Sequence, residues 1–317
     1  MIATASLNQI INDTGKPGSI VSQRRSVHGV LLLDKPVGMT SNQALQTAKR
    51  IFNACKAGHT GSLDPLASGL LPLCFGEATK VSAFLLDADK EYAVRCRLGV
   101  RTTTADAEGE VLETCVLPVL TRKSIEQTFE QFYGEIMQVP PMYSALKYQG
   151  QRLYDLAREG IEVPRDPRPV TIHSLTLTAY SKDSLEFTVR CSKGTYVRTL
   201  VEDLATALGS CGHVSALRRT TVGPYTSMHR LEKLQENYMD YEALDKLLLP
   251  IDSALSHWPQ VHMNVETAWY FLRGQAVMVP GAPTAGMLRA YGGGRFLGLA
   301  EVLPDGRVTP RRLMNLD

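Results

Sequence analysis

Between residues 91 and 98 the chain alternates strictly: Tyr92, Val94, Cys96 and Leu98 fall on one face, Glu91, Ala93, Arg95 and Arg97 on the other. A period of two belongs to a β-strand, here with one side buried and a two-arginine side turned outward. A short buried strand is read at Val30-Leu31-Leu32-Leu33-Asp34, closed by Lys35-Pro36. Helical period interleaves with these strands. Ala44, Leu45, Ala48, Ile51 and Phe52 predict an amphipathic helix over about 41–54, opened by the capping-box spacing of Thr40 and Gln43. Ile125, Phe129 and Phe132 predict another over 121–133. Val197, Leu200, Val201, Leu204 and Leu208 predict a third over about 196–208, with Gly209 as its stop. Strands are expected at about 170–180 and 185–191, and helical pattern returns at 240–249 before Pro250.

A chain of 317 residues suits about two domains and a large core. Residues 1–27 are polar and aperiodic and read as a flexible tail; its Arg24-Arg25 either stays solvated or grazes a phosphate backbone. Residues 28–254 hold the main pattern. Within them, 139–169 is broken by Pro140, Pro141, Gly150, Gly160 and Pro164, while Lys147, Arg152, Arg158, Arg165 and Arg168 interleave with Tyr143, Tyr148 and Tyr154. This stretch reads as an excursion from the core with a helix near 151–159. From Trp258 onward short strands and turns take over, which places a boundary near 255 and a small β-rich module over 255–317.

Hydrophobic residues at 44% and charged residues at 21% exclude wholesale disorder, and a net charge of +2 excludes a histone-like polycation. A local basic groove would still suffice for nucleic acid. No run of about 20 apolar residues is present, so no membrane span is expected. Met1-Ile2-Ala3-Thr4 lacks the basic start of a signal peptide. The six cysteines form no CxxC pair, so no structural zinc site is expected, and a reducing cytoplasm fits.

The most informative stretch is Gly58-His59-Thr60-Gly61-Ser62-Leu63-Asp64-Pro65-Leu66-Ala67-Ser68-Gly69. Its glycines permit a ligand to approach the backbone, and Pro65 stiffens the chain after Asp64. Two readings of Asp64 stand. It is either a helix N-cap with Pro65 at the first helical position, or a rigid, partly desolvated carboxylate able to act as base or nucleophile. The loop is not a Walker A motif, and His59 alone is an ordinary loop histidine. In Ser192-Lys193-Gly194-Thr195-Tyr196-Val197-Arg198-Thr199, Arg198 opens a predicted helix, where its charge opposes the macrodipole. Either its stem covers apolar surface, or a carboxylate such as Asp64 pairs with it. Tyr92 packs in the core or places its ring under a flat ligand. Leu217 before Arg218-Arg219 reads as an apolar residue beside charges suited to an RNA backbone. No serine triad, paired carboxylate or metal-ligand spacing emerges.

An ordered series of motifs resembles the bacterial tRNA pseudouridine synthase B family. The series is Leu33-Asp34-Lys35-Pro36, the 57–69 loop, Gly76-Glu77-Ala78-Thr79-Lys80, Lys90-Glu91-Tyr92, Tyr143-Ser144-Ala145-Leu146-Lys147, Cys191 through Thr199, and Leu217-Arg218-Arg219. The resemblance implies an α+β (mixed α/β) core around a mainly antiparallel sheet, with 139–169 as an RNA-gripping insertion. It also implies a PUA-like RNA-binding module over 255–317, resting on Phe296 through Glu301 and Pro310 through Leu313.

The implied activity is isomerisation of the T-loop uridine of tRNA, at tRNA position 55, to pseudouridine. No metal and no organic cofactor is implied, and the expected protein is a cytoplasmic monomer whose partner is the T-arm stem-loop. By motif position Asp64 matches the essential aspartate, Arg198 the arginine paired with it, and Tyr92 the active-site tyrosine. Tyr196 and Leu217 match pocket-lining positions, His59 the residue inserted as the base leaves its stack, and Lys35 a lysine near the site. Extruding a base costs a few kcal/mol of stacking, which fits a residue able to take its place. Two rivals remain at this level. One is an RNA-binding tRNA folding factor with catalysis secondary. The other is a small-sugar glycosidase, which requires a second carboxylate nearby.

Overall fold

The computed structural model describes residues 23–316. The chain runs β1 (Gly29–Lys35), α1 (Ser41–Ile51), β2 (Ala57–His59), β3 (Ala67–Phe75), α2 (Ser82–Asp87), β4 (Lys90–Leu98), then a hairpin of β5 (Val100–Thr102) and β6 (Val111–Thr114). It continues through α3 (Arg122–Glu130), β7 (Gly134–Gln138), β8 (Lys147–Tyr148), β9 (Gln151–Arg152), α4 (Leu153–Arg158), β10 (Arg168–Tyr180), β11 (Ser184–Cys191), α5 (Val197–Ala207) and β12 (Gly212–Val222). The remainder is β13 (His229–Arg230), α6 (Leu231–Glu236), α7 (Tyr241–Asp245), β14 (Gln260–Met263), α8 (Val265–Phe271), β15 (Gly286–Gly292), β16 (Arg295–Val302) and β17 (Val308–Leu313).

One 9-stranded sheet, ordered β13-β1-β3-β12-β4-β11-β10-β7 with β2 on β3, forms the core. Only the β1–β13 and β3–β12 joints are parallel, so the fold is α+β with a mainly antiparallel sheet. The apolar run of β1 follows from burial on both faces. Leu31 and Leu33 pack with Ala44, Leu45 and Ala48 of α1, while Val30 and Leu32 pack with Leu85 and Ile251. The capping box of Thr40 and Gln43 opens α1 as expected. On the other half of the sheet Ile125 and Phe129 of α3 and Leu200, Val201 and Leu204 of α5 cover Val94, Cys96, Leu175, Phe187 and Val214. Arg95 and Arg97 on the outer face of β4 pair with Glu186 and Asp183. The two halves meet at Tyr92 and Leu217, which touch both clusters and line the seam between them.

Strands β14–β17 make a separate 4-stranded sheet with its own core, including Phe271, Leu288, Ala290 and Val308. Leu299 and Met314 dock it against the back of β1 and β3, with Lys80 Nζ donating to the Leu313 carbonyl at 2.7 Å.

Three features depart from the sequence reading. Residues 1–22 of the expected tail lie outside the described residues. Over its described end Val27 is buried, and Arg25 pairs with Asp245 while stacking on Tyr241. Cys115 and Cys211 form a disulfide joining the end of β6 to the start of β12, a pairing with no local sequence signal. Strands β3 and β12 sit at the centre of the sheet where the sequence offered no period-two pattern.

Candidate active site

Asp64 ends the loop between β2 and β3. No helix follows Pro65; the chain enters β3 at Ala67, so the helix-cap reading of Asp64 fails. The loop is pinned from several sides. Ser41 Oγ accepts from the Leu63 amide at 2.7 Å and donates to the Leu63 carbonyl at 3.0 Å, and the Gly38 amide donates to the Pro65 carbonyl at 2.8 Å. With the backbone on both sides of Asp64 fixed, its carboxylate has little freedom.

Arg198 opens α5, as expected, and is buried. Its Nε lies 3.1 Å from Asp64 Oδ2. The other side of the guanidinium is held by the Thr104 carbonyl at 2.9 Å, the Tyr143 carbonyl at 2.7 Å and Asp106 Oδ2 at 3.5 Å. The solvated-head reading of Arg198 therefore fails. Tyr143 opens the 139–169 excursion, so that segment is anchored on the same arginine.

Asp106 is a carboxylate that sequence reasoning missed. It accepts from Thr104 Oγ1 at 2.5 Å and from the Glu108 amide at 3.1 Å, and it is buried. Nothing in its local pattern signals a site, because its partner Arg198 comes from a distant helix. A second carboxylate thus exists beside Asp64. It is enclosed and already hydrogen-bonded, which leaves it unsuited to the acid–base role a glycosidase requires.

Burial pushes the Asp64 carboxyl above its usual range; Arg198 opposes that push, Asp106 adds to it and Lys35 opposes it. Solvent still reaches 43% of the Asp64 side chain, so water tempers the effect. Lys35 is wholly buried, with Nζ donating to the Pro36 carbonyl at 2.8 Å and the Met39 carbonyl at 2.5 Å. Burial lowers its pKa to about 8, against the attraction of Asp64. Burial and then the charge of Arg219 hold His59 below its usual range, and its Nδ1 is buried with no partner among the described residues. Burial pushes the Tyr92 hydroxyl up, while Arg219 pulls it down.

Tyr92 and Leu217 face the seam from adjacent strands, Leu217 lying opposite Ala67 on β3 and Val94 on β4. Tyr196 is the residue before α5; its backbone is clamped by Gln138, which accepts from its amide at 2.7 Å and donates to its carbonyl at 3.1 Å. The expectation that Arg218 and Arg219 meet a phosphate backbone is corrected for Arg219. Arg218 forms a two-pronged pair with Asp34 at 3.0 and 2.8 Å, and Arg219 is fully buried. Among the described residues the one cluster of metal-ligand type is Glu113, Cys115 and Cys211, whose thiols are joined to each other. A cavity of about 380 Å³ lies in the C-terminal module between Trp269, Leu272 and Phe296, away from Asp64.

Solved structures share this architecture. The Cbf5–Nop10–Gar1 complex is 28% identical with a TM-score of 0.67, covering 87% of this chain and 78% of that one. Family profiles run along nearly all the described chain: TruB family pseudouridylate synthase, N-terminal domain, over 49–197; tRNA pseudouridylate synthase B C-terminal domain over 198–256; and pseudouridine synthase II TruB, C-terminal, over 259–314. The chain is a pseudouridine synthase. Proteins named tRNA pseudouridine synthase B from Coxiella burnetii and Stutzerimonas stutzeri are 54% and 56% identical to it, over 92% of this chain and 96% and 97% of theirs. It belongs to the TruB family.

Proposed function

We propose that the seam around Asp64 isomerises the T-loop uridine of tRNA, with Asp64 as nucleophile or base. The observation that carries this reading is the Asp64–Arg198 pair at 3.1 Å, held on a pinned loop with the carboxylate still reached by solvent. In the reaction the N1–C1′ bond breaks, the uracil turns, and a C5–C1′ bond forms. The proton leaving C5 is balanced by one gained at N1, so no oxidant or reductant is needed.

Arg198 keeps Asp64 charged and oriented. The Tyr92 ring stacks on the extruded uracil, and its hydroxyl serves removal of the C5 proton. Leu217 and Tyr196 line the pocket. His59 is held neutral, with one ring nitrogen unpartnered among the described residues, and takes the space the base vacates in the loop. Lys35 supplies positive charge to Asp64. The 139–169 excursion carries exposed Lys147 and Arg152 and grips the T-arm, and the module from 255 onward is a PUA-like RNA-binding domain. The protein acts as a cytoplasmic monomer; the Cys115–Cys211 bond is one that a reducing compartment disfavours.

The test is tritium release from a T-arm stem-loop carrying 5-tritiated uridine at the target position. Release that requires uridine there supports the reading. Tight binding without release would favour the folding-factor alternative.

A further inference from the structure

Arg219 is among the largest fully buried side chains, and among the described residues no acidic group pairs with it. It sits on β12 between the two strands that carry the site: opposite Gly69 on β3, the strand Asp64 leads into, and opposite Tyr92 on β4. Its Nε donates to the Leu70 carbonyl at 2.7 Å and its Nη2 to the Gly61 carbonyl at 3.2 Å. The cross-strand register sets its side chain on the same face as Tyr92, directly opposite it, and its charge acts on the Tyr92 hydroxyl. The backbone is shaped around this residue. Gly69 has φ +102°, and a Cβ there would lie 2.2 Å from the Arg219 carbonyl oxygen. An arginine enclosed between two carbonyls and beside a tyrosine can hold those groups in one geometry, because its planar fork fixes several directions at once.

We propose that Arg219 is a positioning residue for the isomerisation, tying the Tyr92 hydroxyl to the Gly61 and Leu70 carbonyls and so setting the tyrosine against the Asp64 loop. The proposal rests on the proposed catalytic role of Tyr92. A lysine at 219 keeps the charge and loses the fork, so the tyrosine drifts relative to the loop while the RNA-binding surface is untouched. A misplacement near 1 Å costs about 100-fold in rate.

The experiment measures the single-turnover rate and Kd on the T-arm stem-loop for Arg219→Lys, Tyr92→Phe and the double variant. The expected result is a rate loss of about 10–100-fold for Arg219→Lys with Kd within about 2-fold of wild type. On a Tyr92→Phe background the same change should add little. A wild-type rate, a loss confined to Kd, or full multiplication of the two losses overturns the proposal. Should Arg219→Lys fail to fold, the Tm of Tyr92→Phe decides. Removing the hydroxyl leaves a buried guanidinium N–H unpaired and should lower Tm by about 3–6 °C, and an unchanged Tm overturns the proposal. If Tyr92→Phe keeps the wild-type rate but loses Tm, the proposed proton-removal role of Tyr92 fails while the tie to Arg219 stands.

Discussion

Replacing Arg198 by lysine removes a shape rather than a charge. The guanidinium faces Asp64 at 3.1 Å on one side and the Thr104 and Tyr143 carbonyls at 2.9 and 2.7 Å on the other, with Asp106 at 3.5 Å. A single ammonium cannot span these directions. Placed toward Asp106, it leaves Asp64 without its partner; placed toward Asp64, it leaves a buried carboxylate and two carbonyls short of donors. Losing an oriented electrostatic partner of the reacting group costs about 100–1,000-fold in rate, roughly 3–4 kcal/mol of barrier. The unpaired buried groups cost about 3 kcal/mol of stability, lowering Tm by about 6–12 °C. With the ammonium drawn toward Asp106, the opposing pull on Asp64 weakens and its pKa rises further. The carboxylate is the active form, so the acid limb of the rate profile moves to higher pH. The assay is single-turnover tritium release against pH, with Kd measured beside it at fixed salt. An Arg198→Lys protein within 3-fold of wild type, with its acid limb unmoved, refutes the reasoning.

Arg218→Ala should lower stability by about 1 kcal/mol, since its pair with Asp34 is partly exposed, and should leave the salt dependence of RNA binding unchanged. A salt slope shallower by about one ion would restore the phosphate-contact reading. Gly69→Ala should cost at least ~2 kcal/mol or prevent folding, because the positive φ and the Arg219 carbonyl both exclude a Cβ; denaturant midpoints check it. Lys35 has its folded pKa lowered to about 8 from 10.5, so the unfolded chain binds more protons between those values and stability rises with pH across that window. Wild type should therefore gain on Lys35→Met between pH 8 and 10 in urea melts, and parallel curves would contradict the assignment.

The sequence made some of this legible and hid the rest for identifiable reasons. Strand β4 could be read because its two faces differ, and α1 because Thr40 and Gln43 cap it. Strand β3 could not, since Leu71, Leu73 and Phe75 bury toward one layer and Leu70 and Cys74 toward the other, erasing the alternation. Strand β12 was obscured by Arg218 and Arg219, whose charges look external until Asp34 and the Gly61 and Leu70 carbonyls are seen around them. Asp64-Pro65 fits a helix start as well as a reactive loop, and the pairing of β3 with β1 and β12 excludes the helix start. Arg198 stood out because its charge opposes the helix it opens; Asp106 gave no such cue, because everything that makes it special comes from elsewhere in the chain.

The most direct measurement is tritium release and tRNA affinity for Asp64→Asn, an exchange that keeps the side chain's size and removes its charge. The account requires that release stop while Kd stays within about 3-fold of wild type, with the gripping surfaces intact. Release at the wild-type rate would show that the chemistry belongs to another group and that the Asp64–Arg198 pair only holds the fold together.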